Sequence, residues 1–167
     1  MLTKENLGEK FKGLARVFPG IPSYQEREGL RTQDKVVRAQ LAARIEEQVK
    51  RIDEINSGLV SRGVMLPLAK LDRIGRKLMR LADTIRFASY GYAGLFAATP
   101  IDERRLMELY DYDLSLHQDI ETVAAAVGTL QQQQSQAWKD DSLEDFQQAV
   151  YRLEESISKR ETLFTGR

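Results

Sequence analysis

Asp113 and His117 are the residues of this chain whose types and spacing come closest to chemistry. They stand four apart, on one side of a helix, where a carboxylate could orient an imidazole as a general base. Such a base needs a nucleophile or a substrate beside it, and the sequence proposes neither. The 167 residues include no cysteine, which removes thiolate nucleophiles, disulfides and sulfur-rich zinc sites. A single histidine cannot supply the two Glu-x-x-His units of a di-iron bundle. There is no glycine-rich phosphate loop, G-x-S-x-G elbow, H-E-x-x-H or EF-hand loop. No catalysis, cofactor or metal is therefore expected. A small-ligand-binding bundle, with a closed cavity near Tyr110, Asp113 and His117, stands as an alternative.

Two stretches have a composition suited to recognition. The first begins at Tyr24, and in it Arg27, Arg31, Asp34 and Arg38 recur at spacings of four, three and four, lining one helical face. The planar fork of arginine suits a carboxylate, a phosphate or an acidic helix. The same pattern also reads as an ion-paired helix end, because its charges can satisfy one another. The second stretch, Phe87 to Phe96, mixes small residues with four aromatics, Tyr90 and Tyr92 among them. It reads either as packing at a helix crossing or as an aromatic docking surface.

Lysine plus arginine equals aspartate plus glutamate at 25 each, so no net field selects nucleic acid. The charge is uneven along the chain. Residues 65 to 98 carry six basic and two acidic side chains, while residues 99 to 141 carry three and nine. Opposite sign in successive segments suggests antiparallel neighbours with complementary flanks. Lys70, Arg73, Arg76, Lys77, Arg80 and Arg86 could track phosphate, but without interleaved aromatics they argue little for nucleic acid. The same basic helix could lie on an anionic membrane surface, a reading kept open and not favoured. The longest uncharged apolar stretch, 87 to 101, is shorter than a membrane span.

The elements that would hold these residues are all helical. Leu71, Ile74, Leu78, Leu81, Ile85, Ala88, Tyr92 and Leu95 form a heptad seam, which obliges a third helix to bury one side. A first short helix, capped by Thr3, carries Leu7, Phe11, Leu14 and Phe18 and stops at Pro19-Gly20. Ser23 and Glu26 form a capping box for a second helix, predicted over 24 to about 57, with Glu46-Lys50 and Glu47-Arg51 pairs on its outer face. Thr99, Pro100 and Asp102 signal a fourth helix, whose short connection makes it the antiparallel neighbour of the third. Ser142 with Asp145 caps the last, whose inner face is Leu143, Phe146, Val150, Leu153, Ile157 and Phe164. No stretch alternates with a period of two for long, and no segment repeats.

The run Tyr24-x-Glu26-Arg27-Glu28-x-x-Arg31-x-x-Asp34-Lys35, followed by Ala88-Ser89-Tyr90-Gly91-Tyr92-Ala93-Gly94, resembles a group of small uncharacterised bacterial all-helical proteins. The likeness runs from Tyr24 to about Asp113 and implies a bacterial, cytoplasmic origin. No function comes with it. The sequence thus predicts a single domain over 1–167: an elongated antiparallel helical bundle with coiled-coil character, four principal helices and a short N-terminal one. The expected role is that of a protein–protein interaction module, an adaptor or scaffold whose faces bind other helices or a second copy of itself. Its expected contact residues are Tyr24, Arg27, Arg31, Asp34, Arg38, Tyr90 and Tyr92.

Overall fold

The seam of the third helix is buried as its spacing requires: Leu71, Ile74, Leu78, Leu81 and Ile85 all face the core. The computed structural model describes residues 4–22, 27–88, 102–133 and 138–165. Every element within them is a helix: α1 (Lys4–Val17), α2 (Arg27–Ser61), α3 (Leu68–Phe87), α4 (Glu103–Gln133) and α5 (Asp140–Thr165). Thr3, the Ser23–Glu26 capping box with Tyr24, and the stretch from Ser89 to Ile101 lie outside the described residues. That stretch includes Tyr90, Tyr92, Leu95, Thr99 and Pro100.

The four longer helices form two antiparallel hairpins. In the first, Gly75 of α3 lies against Ile52 of α2, and Arg86 Nη1 donates to Glu46 Oε1 at 2.5 Å. In the second, Gln133 Nε2 near the end of α4 donates to Ser142 Oγ near the start of α5 at 2.5 Å. The hairpins lie side by side in the same sense. Gln33 meets Tyr110, Arg44 meets His117 and Arg51 meets Gln131, so residue numbers rise together along α2 and α4. The main packing pairs are α2–α3, α4–α5, α2–α4, α1–α4 and, more lightly, α3–α5.

This corrects the expected pairing of the third and fourth helices. They run in opposite directions but lie across the diagonal of the bundle, and α4 is the parallel neighbour of α2. Their opposite charges therefore do not meet flank to flank. The expected outer-face pairs of α2 also change partners: Glu46 is taken by Arg86 of α3, and Arg51 turns to α4.

Local signals explain the helix ends. Asp102 caps α4, its Oδ1 accepting the backbone N–H of Arg104 at 3.1 Å and of Arg105 at 3.3 Å. Ser142 falls inside the first turn of α5, which opens at Asp140 with acidic residues matched to the positive end of the helix dipole. The end of α2 is a Schellman turn: Gly63 N–H donates to Val60 O at 3.0 Å and Val64 N–H to Leu59 O at 3.0 Å. Gly63 has φ +72°, which a side chain would strain.

Two glycine substitutions separate these effects. Gly63→Ala should lower unfolding free energy by about 1 kcal/mol or more, because alanine is forced into a left-handed conformation. Gly75→Ala should raise it by about 0.5–1 kcal/mol, since the added Cβ would meet Ile52 Cγ2 at an ordinary 3.8 Å. Urea denaturation followed by circular dichroism measures both.

Candidate functional site

Charged residues at core positions bring α2, α3, α4 and α5 together at one end of the bundle. Asp34, Arg38, Asp113 and Arg160 are all buried. Arg160 Nε donates to Asp113 Oδ1 at 2.7 Å, and its Nη2 to Asp34 Oδ1 at 3.4 Å, across the diagonal between α5 and α2. Arg38 Nε donates to Asp34 Oδ2 at 2.8 Å. Its Nη1 donates to the carbonyls of Arg86 at 2.8 Å and Ile85 at 3.4 Å, orphan acceptors in the last turn of α3. Beside this network Tyr110 Oη donates to Gln33 Oε1, while Gln33 Nε2 donates to Pro22 O at 3.0 Å.

The network is buried. Burial first, and then the Asp34 carboxylate, push the Asp113 carboxyl well above the usual carboxylate range, against the opposing pull of Arg38. Burial also brings Arg160 down to about 10, with Asp34 acting the other way, so the guanidinium stays charged at neutral pH. The crevice along Gln33, Asp34, Tyr110 and Asp113 has no volume open to a water-sized molecule. Among the described residues no group of three or more acidic, histidine or cysteine side chains is placed to hold a metal ion.

Asp113 and His117 do not form the dyad that their spacing allows. Asp113 points to Arg160, whereas His117 turns toward α1 and α2. Arg44 Nη1 donates to His117 Nδ1 at 2.6 Å, and Nη2 to Val17 O at 2.5 Å. The guanidinium lies 4.9 Å from the centre of the Phe18 ring, which meets the imidazole edge-on. Since a guanidinium only donates, Nδ1 must accept and the neutral ring carries its proton on Nε2. Burial and then Arg44 lower the His117 pKa, partly offset by Glu121.

Of the expected contact residues, Asp34 and Arg38 are committed to the buried network and offer a partner nothing. Arg31 is exposed, and Arg27 is the first residue of α2. Tyr24, Tyr90 and Tyr92 lie outside the described residues.

An open groove lies elsewhere, where α3 and α5 pack lightly. A groove of about 500 Å³ runs between them, lined on α3 by Arg73, Lys77 and Arg80 and on α5 by Gln147, Tyr151 and Glu154. Ile74 and Val150, both largely buried, form its floor. Lys70, Arg73, Lys77 and Arg80 recur at spacings of three, four and three, so the flank of α3 turned to α5 is purely basic. Asp72 and Asp83 fall on the other flank. Lys77 pairs with Glu154, while Arg73 and Arg80 have no ion-pair partner among the described residues. Tyr151 is 54 % exposed at the groove's edge, an aromatic area awaiting cover. Sequence reading grouped these basic residues but could not see that α5 supplies the opposite wall.

No family model, no curated protein and no solved structure matches this chain. Its site must be read from its own geometry.

Two outcomes test the polar core. Arg160→Met should cost about 3–5 kcal/mol, because it leaves the acids of Asp113 and Asp34 buried without the guanidinium that both face, and adding Asp113→Asn should recover part of that loss in a double-mutant cycle. His117 has the opposite acid–base logic to a stabilised cation. Its folded pKa lies below the unfolded value, so its contribution is fully present above about pH 6.5 and is lost as pH falls toward the folded value. The melting temperature of the wild type should therefore drop more than that of His117→Gln between about pH 7.5 and about pH 5.5. Equal drops would remove His117 as the cause.

Proposed function

We propose that this protein is a protein–protein interaction module of the cytoplasm that receives an acidic amphipathic helix in the α3/α5 groove. The observation that carries the reading is a concave, two-helix surface with an apolar floor and, on its rim, the guanidinium groups of Arg73 and Arg80, which have no ion-pair partner among the described residues. A helix fits such a surface by laying an apolar or aromatic side chain over Ile74, Val150 and the face of Tyr151. Carboxylates on its flank would then meet the arginine forks, which bind carboxylate in two places at once. Apolar burial at about 25 cal/mol per Å² supplies affinity, and the charges supply register and partner choice.

The concave shape disfavours a flat lipid surface as the occupant of this groove. Among the described residues no helix is long and apolar enough to cross a membrane. The small-ligand reading finds no support at Asp113 and Tyr110, where the space is filled by the protein's own side chains.

The test is affinity capture with the purified protein against Arg73→Glu/Arg80→Glu. The wild type should retain at least one acidic protein partner that the double variant loses, with melting temperatures equal because both sites are exposed. Recovery of the same partners by both proteins would sink the reading.

A further inference from the structure

The groove calls for an occupant with an aromatic or apolar centre and an acid on either side of it, and the outer spine of α5 has that form. Glu144, Tyr151 and Glu155 are exposed and spaced seven and four apart, so they fall on one line along the helix. Neither glutamate has an ion-pair partner among the described residues. Tyr151, between the two acids, also lines the groove, where Arg73 and Arg80 have no ion-pair partner among the described residues.

From this self-complementarity we infer that the occupant is a second copy of this chain. Two α5 helices would pack antiparallel about a two-fold axis at Tyr151, each lying along the other's α3/α5 groove. The inference rests on the interaction reading above and narrows it to one partner.

The register follows from the structure. Helices α3 and α5 run in the same direction, with Lys77 level with Glu154 and Ile74 near Val150. Arg73 is then level with about residue 149 of its own α5, and Arg80 with about residue 156, by the 1.5 Å rise of both helices. A two-fold at Tyr151 puts Glu155 of the second copy level with position 147, and its Glu144 level with position 158. Each glutamate is therefore about 3 Å along the axis from an arginine, well within the reach of that side chain. The two tyrosines meet at the axis, where offset stacking covers the ring area each exposes alone. Because the contact is isologous, every Arg–Glu pair occurs twice and the assembly closes at two copies.

Analytical ultracentrifugation of the full chain should show a concentration-dependent monomer–dimer equilibrium. Arg73→Glu/Arg80→Glu and, separately, Glu144→Arg/Glu155→Arg should each weaken it at least about tenfold, and the four substitutions together should restore it. Since the chain has no cysteine of its own, Tyr151→Cys should form an intermolecular disulfide on air oxidation. The exposed control Ser115→Cys on α4 should not, and the Arg73→Glu/Arg80→Glu background should abolish the Tyr151→Cys crosslink. A monomer at all concentrations, a dimer insensitive to the charge changes, or equal crosslinking at 115 and 151 would overturn the inference. A monomer that still captures a different protein through Arg73 and Arg80 sinks this inference alone. One that captures nothing sinks the interaction reading with it.

Discussion

The arrangement of this bundle depends on one buried knot of charge, in which Arg160 of α5 reaches Asp113 of α4 and, across the diagonal, Asp34 of α2. Arg38 joins it to the last carbonyls of α3, so all four principal helices are tied at one level. Such a knot adds little net stability, since removing charged groups from water costs several kcal/mol per ion. Its consequence is selectivity. Any slip of one helix by a residue or a turn would strand a carboxylate or a guanidinium in the core, and that error is far more costly than a misplaced leucine. The charges therefore specify which helices are neighbours, a choice that apolar stripes alone leave open.

Helix α2 carries this polar pinning along much of its length. Arg38 binds the end of α3; Arg44 bridges the α1 exit and His117; Arg51 donates to Gln131 Oε1 from Nη2 at 2.7 Å and to Ala124 O at 3.2 Å. Three arginines at successive levels hold α3, α1 and α4 against the same helix. Among the described residues the α3–α5 side has no comparable pin, only the half-exposed pair of Lys77 and Glu154. The bundle is thus closed on the two sides that α2 organises and on the α4–α5 side, where Arg160 meets Asp113, and open between α3 and α5. That asymmetry leaves a groove there.

Much of this was legible in the residues. The heptad seam of α3, the stripe of α5 and the glycine at the end of α2 define helices and their inner faces whatever their neighbours are, because periodicity and turn chemistry are local. The buried knot also left a trace. Arg160 continues the α5 stripe three residues after Ile157, and Asp34 and Arg38 flank Val37 within the buried face of α2. A charge at a core position is a stronger signal than a charge run, and the spacing of Arg27, Arg31, Asp34 and Arg38 suggested a face without revealing that its far half points inward.

What the sequence by itself determined is the class of fold, the extent of most helices and the lack of any familiar catalytic constellation, all consequences of side-chain type and of spacing within one helix. Only tertiary structure decided that α4 sits beside α2 and not α3, that Asp113 and His117 turn to different partners, and that Arg73 and Arg80 border a groove. These facts join residues far apart in the chain, 47 positions for Asp113 and Arg160 and 73 for Arg44 and His117. Periodicity says that a face must be buried but not against what. That choice is made by the pairing of charges in the core, which exists only once the helices have met.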